Sequence, residues 1–160
     1  MKKIQQRKSP LGEGGSFIRK LDTALPGKHT KEIYNQLSKK EASILAQLRT
    51  GKSKLNDYLK VIGASESENC LCGEKEDVKH FLLRCMRWQE IRPGMMRGIE
   101  NTSRGNISHL LGGKPEDAEE SWAPKMNVVK QTLKFALLTR RFEQDIAQEN
   151  TPSSNNTTPN

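Results

Sequence analysis

Apolar residues recur every three or four positions along most of this chain, the spacing that places them on one face of an α-helix. The clearest helix lies between Ser38 and Gly51. Ser38 and Glu41 form a predicted capping box, in which each side chain accepts a hydrogen bond from the backbone N–H of the other residue. Gly51 fits the C-terminal end of the helix. Its apolar face consists of Ile44, Leu45 and Leu48.

The same spacing predicts short helices on both sides of this one. The first begins near Phe17 and stops at the Pro-Gly pair at 26–27, a strong helix breaker. The second begins at Thr30, which is a good N-cap residue. A further helix ends at Gly63, and its apolar face consists of Leu55, Tyr58, Leu59 and Ile62. Connections this short favour successive antiparallel or angled helices.

Two longer helices are predicted in the second half of the chain. One runs from about Val78 through the sequence RWQEIR and is broken by the Pro-Gly pair at 93–94. A weaker helical stretch, ISHLLGG, follows it. The last helix begins near Pro124, a residue suited to a first helical turn. Its apolar face consists of Met126, Val129, Leu133, Ala136 and Leu137.

The predicted fold is all-α, a small bundle of short helices, because no segment shows the alternating pattern of a β-strand and no internal repeat is visible. Hydrophobic residues make up only 33% of the chain, so we expect a small core with polar ends. The predicted organisation is a flexible basic arm (1–16), a basic helical segment (17–63), a cysteine-containing segment with its helix (64–93), C-terminal helices (94–148) and a disordered tail (149–160).

The net charge of +8 is unevenly distributed. Residues 1–60 hold 14 Lys and Arg against 5 Asp and Glu (+9), residues 61–113 hold 7 against 7 (0), and residues 114–160 hold 6 against 7 (−1). Such an excess at one end is typical of an arm or surface that binds a polyanion. A solvated basic surface without a partner would have the same composition.

The sequence also restricts the compartment and the class of protein. It contains no secretory signal and no apolar run long enough to cross a membrane, so we expect an intracellular protein, in the cytosol or the nucleus, without a membrane partner. An odd number of cysteines argues against a closed disulfide framework. Catalytic motifs are absent, so the sequence predicts neither an enzyme nor a site for a small-molecule substrate.

All three cysteines lie in the stretch CLCGEKEDVKHFLLRC (70–85), together with one of the three histidines. Three thiolates and an imidazole are the ligands of many tetrahedral structural Zn²⁺ sites. The predicted ligands are Cys70, Cys72, His80 and Cys85. His80 and Cys85 are about 140° apart on an ideal helix, so we expect a loosened turn between them. Four protein ligands leave no position for water, so the predicted zinc is structural.

Two alternatives remain for this cluster. The cysteines could simply be buried as small hydrophobic residues, as Cys85 would be on the same face as Val78 and Phe81. Cys70 and Cys72 could instead form a strained redox pair. Neither alternative explains why every cysteine lies near a histidine.

Two groups of basic residues are candidates for contacts with nucleic-acid phosphates, and solvated charge is the alternative for both. They are Arg49, Lys52 and Lys54 at a helix corner, and Arg84 and Arg87 beside the last cysteine. Phe81 and Trp88 could stack on bases. The helical spacing favours a core position for Phe81 and leaves Trp88 open.

The stretch LRTGKSKLNDYL (48–59) and the Cys-x-Cys-x7-His-x4-Cys spacing closely resemble the C-terminal region of non-LTR (LINE-type) retrotransposon reverse transcriptases, the fungal elements most of all. The resemblance covers about residues 19–141. It implies that the four predicted ligands form the zinc knuckle of that family and that the region contacts RNA or DNA. The chain carries neither the polymerase Asp-Asp motif nor ribonuclease H carboxylates, so the resemblance implies a fragment or remnant that is not an enzyme.

The sequence therefore predicts a zinc-binding module that binds RNA or DNA through phosphates. One alternative is a protein-interaction scaffold in which zinc only holds helices together. The other is a decayed retroelement reading frame without a selected function.

Overall fold

The computed structural model describes residues 14–143. Over this range the helices are α1 (Gly14–Leu21), α2 (Lys28–Asn35), α3 (Lys39–Thr50), α4 (Asn56–Val61), α5 (Arg92–Arg97), α6 (Ile107–Leu110) and α7 (Met126–Thr139). A π-helical turn (His80–Arg84) and a 3-10 turn (Met86–Trp88) lie between α4 and α5. The described residues contain no β-strand, only an isolated bridge between Asn69 and Lys75. The predicted all-α fold class is confirmed.

The first two helices begin earlier than predicted. Helix α1 starts at Gly14, inside the segment predicted to be a flexible arm. Helix α2 starts at Lys28 after Gly27, without a side-chain cap, so Thr30 lies inside the helix and is not its N-cap. The rest of the predicted arm (1–13) and the predicted disordered tail (149–160) lie outside the described residues.

Helix α3 has the predicted ends. The Ser38 hydroxyl accepts a hydrogen bond from the Glu41 N–H at 3.2 Å, and the Glu41 carboxylate accepts one from the Ser38 N–H at 2.8 Å. This reciprocal pair is the predicted capping box. Gly51 ends the helix with a φ of 72°, the left-handed conformation that glycine adopts without strain.

The core lies where α3 meets α7, and α1, α5 and α6 pack around this pair. Its fully buried apolar side chains include Leu45, Leu48, Phe81, Leu82, Leu110, Leu111 and Leu133. Each contributes about 1.5–3 kcal/mol on burial. The Phe81 ring lies 5.4 Å from the Phe135 ring and 5.3 Å from the Phe142 ring, centroid to centroid. Phe81 therefore belongs to the core, as the spacing favoured, and it anchors the cysteine-containing segment there.

Helix α7 is amphipathic, with Val129 and Leu133 fully buried and Leu138 58% exposed. Its length is 14 residues. No helix within residues 14–143 combines the length and the apolar character needed to cross a membrane.

Arg49 is buried, and this corrects its prediction as a nucleic-acid contact. Only 2% of its side chain is exposed. Its guanidinium pairs with the Asp22 carboxylate, which is fully buried, and donates a second hydrogen bond to the Leu111 carbonyl at 2.7 Å. Arg49 therefore joins the end of α1 to α3 and to the turn after α6, and it is not accessible to a surface partner.

Asp22 has further partners besides this arginine. Its carboxylate lies 2.7 Å from His29 Nε2 and accepts a hydrogen bond from the Lys114 N–H at 3.1 Å. Burial alone would raise the pKa of Asp22, but the hydrogen bonds from His29, the Lys114 N–H and Arg49 outweigh it and hold the pKa below its usual value. The carboxylate is thus ionised at neutral pH, as its pairing with Arg49 requires.

The predicted long helix after Val78 is interrupted. The backbone turns out of helical conformation at Cys85, which has a ψ of 123°. The Pro-Gly pair at 93–94 lies in the first turn of α5 and does not end a helix. Proline fits there because the first N–H groups of a helix have no intrahelical partner.

Helix α4 buries less of its apolar face than predicted. Leu55 is 1% exposed, whereas Ile62 at the other end is 52% exposed. The Asn56 side chain joins the start of α4 to the cysteine-containing segment by donating to the Asn69 carbonyl at 2.7 Å.

Candidate metal centre

A tight hairpin presents the first two cysteines. The Cys70 N–H donates to the Glu74 carbonyl at 2.7 Å, and the Gly73 N–H donates to the Cys70 carbonyl at 2.9 Å. Gly73 closes the turn with a φ of 95°, which residues with a Cβ rarely adopt. The hairpin therefore holds Cys70 and Cys72 on either side of Leu71 in a fixed backbone.

A π-helical turn presents the other two ligands. The Cys85 N–H donates to the His80 carbonyl at 2.8 Å, five residues back, where an α-helix would bond four back. The wider turn reduces the 140° offset that an ideal helix would place between residues i and i+5, so both side chains can face the same point. The expected loosened turn is present at this point.

The four side chains converge on one point. The Sγ atoms of Cys70 and Cys85 are 3.5 Å apart, and Cys72 Sγ lies 3.3 Å from His80 Nε2. All four ligand atoms lie within 4.8 Å of one another. A tetrahedral ion with metal–sulfur bonds of about 2.3 Å requires sulfur atoms about 3.8 Å apart. The cluster therefore has the size and donor set to hold a metal ion.

The cysteines are not paired with each other in a disulfide. The separation of 3.5 Å between Cys70 and Cys85 far exceeds a disulfide bond of about 2.05 Å, and all three thiols are free. Cys70, His80 and Cys85 are buried, whereas Cys72 is half-buried. The cluster is thus nearly closed to solvent.

The two buried thiols have opposite pKa shifts. Burial tends to raise the pKa of Cys70, but hydrogen bonds from the Cys72 N–H and the Arg87 guanidinium outweigh it and lower the pKa to about 6. Burial raises the pKa of Cys85 to about 12, and the neighbouring Cys70 adds to this shift. At neutral pH one proton therefore remains on the pair. A bound divalent cation would displace it, since metal-bound thiols are deprotonated.

Glu74 orients the histidine. Its carboxylate oxygen lies 3.0 Å from His80 Nδ1, so Nδ1 carries the proton and Nε2 is left to face the thiols. The His80 N–H also donates to the Asp77 carboxylate at 2.7 Å, which fixes the start of the turn. Sequence analysis did not identify Glu74, because a carboxylate six residues before a histidine forms no recognisable pattern.

We expect Glu74→Ala to lower the affinity for zinc by about 10–100-fold, because the His80 ring would lose the partner that orients it. The Glu74 side chain is 63% exposed, so the fold should tolerate its removal. Competition with a chromophoric chelator measures the affinity. Glu68→Ala is the matched control, since Glu68 is an exposed carboxylate of the same hairpin. Equal affinities of the two variants would contradict the role of Glu74.

Arg92 supports the turn from the other side. Its guanidinium donates to the carbonyls of Leu82 at 2.9 Å and Cys85 at 2.7 Å. The two hydrogen bonds tie Arg92 to both sides of the point where the helix is interrupted. Arg92 thus helps to hold Cys85 in place.

The other predicted basic residues differ in exposure. Lys52 and Arg84 are exposed. Lys54 is half-buried and donates to the Phe142 carbonyl at 3.2 Å. Arg87 lies beside the metal cluster, with Nη1 3.7 Å from Cys70 Sγ, and its guanidinium lies 4.7 Å from the centre of the Trp88 ring.

A buried carboxylate that sequence analysis missed lies between Arg87 and Arg141. Glu76 is 1% exposed and forms two hydrogen bonds with the Arg141 guanidinium, at 3.0 and 2.7 Å. It also lies 3.9 Å from Arg87. Burial raises the pKa of Glu76, but Arg141 and the Asn56 N–H outweigh this and lower it. Glu76 thus joins the hairpin to the end of α7.

One cleft lies apart from the four clustered ligand residues. It has a volume of about 480 Å³, and its walls include His109, Trp122 and Asp117. None of the four clustered ligand residues lines it. The cleft therefore does not extend the metal centre.

Comparisons with protein-family models, with curated proteins and with solved structures find no match to this chain. The similarity to non-LTR retrotransposon reverse transcriptases thus remains a prediction from the sequence.

Proposed function

We propose that this chain is a zinc-stabilised module that binds RNA or DNA, derived from the C-terminal region of a non-LTR retrotransposon reverse transcriptase. In this proposal the metal has a structural role and the chain is not an enzyme. The observation that carries the proposal is the convergence of Cys70, Cys72, His80 and Cys85, whose ligand atoms lie within 4.8 Å of one another.

The donor set supports zinc as the metal. Thiolates and imidazoles favour zinc over the oxygen-preferring Mg²⁺ and Ca²⁺. Four protein ligands complete a tetrahedron and leave no position for a reactive water, so the ion would stabilise the fold without catalysing a reaction. Zn²⁺ with three thiolates carries a net charge of −1, so the ion itself would not attract phosphate.

The charge distribution supports a nucleic-acid partner. The first 60 residues carry a net charge of +9. Lys52 and Arg84 are exposed, and the Arg87 guanidinium lies next to the metal cluster. Cations of this kind bind phosphates and release condensed counterions, which provides sequence-independent affinity. The module would act in the cytosol or the nucleus, where it would meet RNA or DNA.

We expect the zinc-loaded chain to bind polynucleotides with an affinity that falls about tenfold or more from low to physiological salt, because each phosphate contact releases counterions. Replacing Lys52 and Arg84 together with glutamine should weaken binding to all sequences alike, since phosphate contacts do not distinguish bases. Fluorescence anisotropy over a series of salt concentrations measures both effects.

Lys130→Gln with Lys134→Gln is the matched control. Both lysines are exposed on α7, and replacing them removes the same amount of positive charge. Equal weakening by the two double variants would mean that affinity follows net charge and not the predicted contacts. If the zinc-loaded chain bound no polynucleotide at low salt, the protein-interaction scaffold would replace the proposed function.

A further inference from the structure

Two consecutive arginines, Arg140 and Arg141, directly follow α7. Proteases of the trypsin class cleave after arginine, but the chain around the cleaved bond must first open locally. The Arg140 side chain is 78% exposed, whereas that of Arg141 is only 21% exposed. Phe142, the next residue, is buried. We refer to Arg140 and Arg141 as the dibasic site. It lies at the surface, but its second arginine and the residue after it are held against the fold.

The segment that carries the metal ligands holds both of these residues. Glu76, four residues before the ligand His80, accepts two hydrogen bonds from the Arg141 guanidinium, at 3.0 and 2.7 Å. The ring of Phe81, directly after His80, lies 5.3 Å from the ring of Phe142. The dibasic site is therefore packed against the metal-binding part of the chain.

The backbone of the dibasic site depends on such contacts. Arg140 ends α7 in the left-handed conformation, with a φ of 56° and a ψ of 11°. Residues with a Cβ seldom adopt this conformation unless their surroundings hold it. The ion pair of Arg140 with Glu143 is exposed and contributes little. The paired hydrogen bonds between Arg141 and the buried Glu76 are better placed to hold the turn.

The hairpin that carries Glu76 has few core contacts of its own. Between positions 64 and 79 the only buried residues are Cys70, Glu76 and Val78. A metal ion bound to the four ligands would tie this stretch to the π-helical turn, whose Phe81 and Leu82 lie in the core. Because metal binding and local folding are linked, loss of the ion loosens the hairpin first.

We infer that metal binding protects the dibasic site from proteolysis by holding Glu76 against Arg141. The inference rests on the metal site of the proposed function, and it does not depend on nucleic-acid binding. Without metal the hairpin opens, Arg141 loses both hydrogen bonds, and a protease gains access to the bonds after Arg140 and Arg141. Water then adds across one of these bonds, which leaves a carboxylate on the arginine and an ammonium group on the next residue. The survival of the intact chain therefore depends on its metal.

The test is limited digestion of the full chain with trypsin, either in excess zinc or after treatment with a zinc-selective chelator. Mass spectrometry of the fragments gives the rate of cleavage at each bond. We expect removal of zinc to speed cleavage after Arg140 and Arg141 about tenfold or more, because local opening becomes easier. Cleavage after Lys20 is the internal reference. Lys20 is exposed on α1, which packs against α3, and its rate should change by less than about twofold.

Glu76→Gln tests the contact itself, because it keeps the shape of the side chain and removes its charge. In excess zinc this variant should be cleaved at the dibasic site about tenfold faster than the unmodified chain. Glu68→Gln is the matched control, since Glu68 is an exposed carboxylate nearby, and it should behave as the unmodified chain does. Arg141→Lys keeps the charge and a bond that trypsin cleaves but loses the paired geometry, so it should also be cleaved faster.

The outcomes separate this inference from the proposed function. If the chain takes up no zinc, the proposed metal site and the inference both fail. If zinc binds but its removal leaves cleavage at the dibasic site unchanged, only the inference is overturned. The same holds if cleavage after Lys20 speeds up equally, because the whole chain would then unfold without metal. Equal cleavage of Glu76→Gln and Glu68→Gln in excess zinc would likewise overturn the inference.

Discussion

Replacing Arg49 with methionine is expected to lower the free energy of unfolding by about 3–5 kcal/mol, because it leaves the Asp22 carboxylate buried without its ionic partner. Asp22 is fully buried, and the Arg49 side chain is only 2% exposed. The variant also removes the hydrogen bond to the Leu111 carbonyl. Chemical denaturation followed by circular dichroism measures the loss. For a marginally stable domain it is a large share of the total.

Lys52→Met is the matched control for this prediction. It makes the same kind of change three residues further along, at an exposed position, and should alter stability by less than about 0.5 kcal/mol. A second comparison uses Asp22→Asn combined with Arg49→Met, which removes both charges. The double variant should lose less than the sum of the two single losses. If Arg49→Met were as mild as Lys52→Met, the buried pair would not stabilise this fold.

Cys85→Ser is expected to abolish stable zinc binding and to destabilise the cysteine-containing segment, because metal binding and local folding are linked. Zinc at a thousandfold excess over its Kd stabilises a folded site by about 4 kcal/mol, and the variant would forfeit this contribution. The hairpin should loosen most. Phe81 and Leu82 remain anchored in the core. Hydrogen exchange over residues 64–93 measures whether the hairpin loses more protection than the segment that contains Phe81 and Leu82.

The metal-free protein provides the control for Cys85→Ser. In the presence of a strong chelator the variant should unfold at a denaturant concentration only slightly below that of the unmodified chain, because serine matches cysteine in size but places a hydroxyl at a buried position. Added zinc should then raise the denaturant concentration at which the unmodified chain unfolds and leave that of the variant nearly unchanged. If the unmodified chain kept the same helicity, exchange protection and thermal midpoint without metal, the zinc site would have no structural role.

The sequence predicted best those features that depend on near neighbours in the chain. The capping box at Ser38 and the end of α3 at Gly51 each rest on a pattern within a few residues. The four candidate metal ligands could be predicted equally well, because they all lie within sixteen residues and their chemistry is distinctive. Phe81 was placed in the core by its helical spacing alone.

Features that depend on distant contacts could not be predicted in this way. Arg49 belongs to an ordinary basic cluster in the sequence, and its burial follows from Asp22, 27 residues earlier, and from the turn after α6. Glu76 is likewise buried because Arg141, 65 residues later, pairs with it. The Pro-Gly pair at 93–94 is a helix breaker by pattern. Because the chain had already left the helix at Cys85, the pair instead begins α5.

X-ray absorption at the zinc edge of the purified full chain tests the central claim most directly, because it reports the ligands of the metal themselves. We expect about one zinc per chain, with three sulfur atoms at about 2.3 Å and one nitrogen at about 2.0–2.1 Å. The number of sulfur ligands should fall from three to two in any zinc complex that the Cys85→Ser variant still forms. A zinc environment of oxygen and nitrogen without sulfur would contradict the account, as would a fully folded chain that neither contains nor takes up zinc.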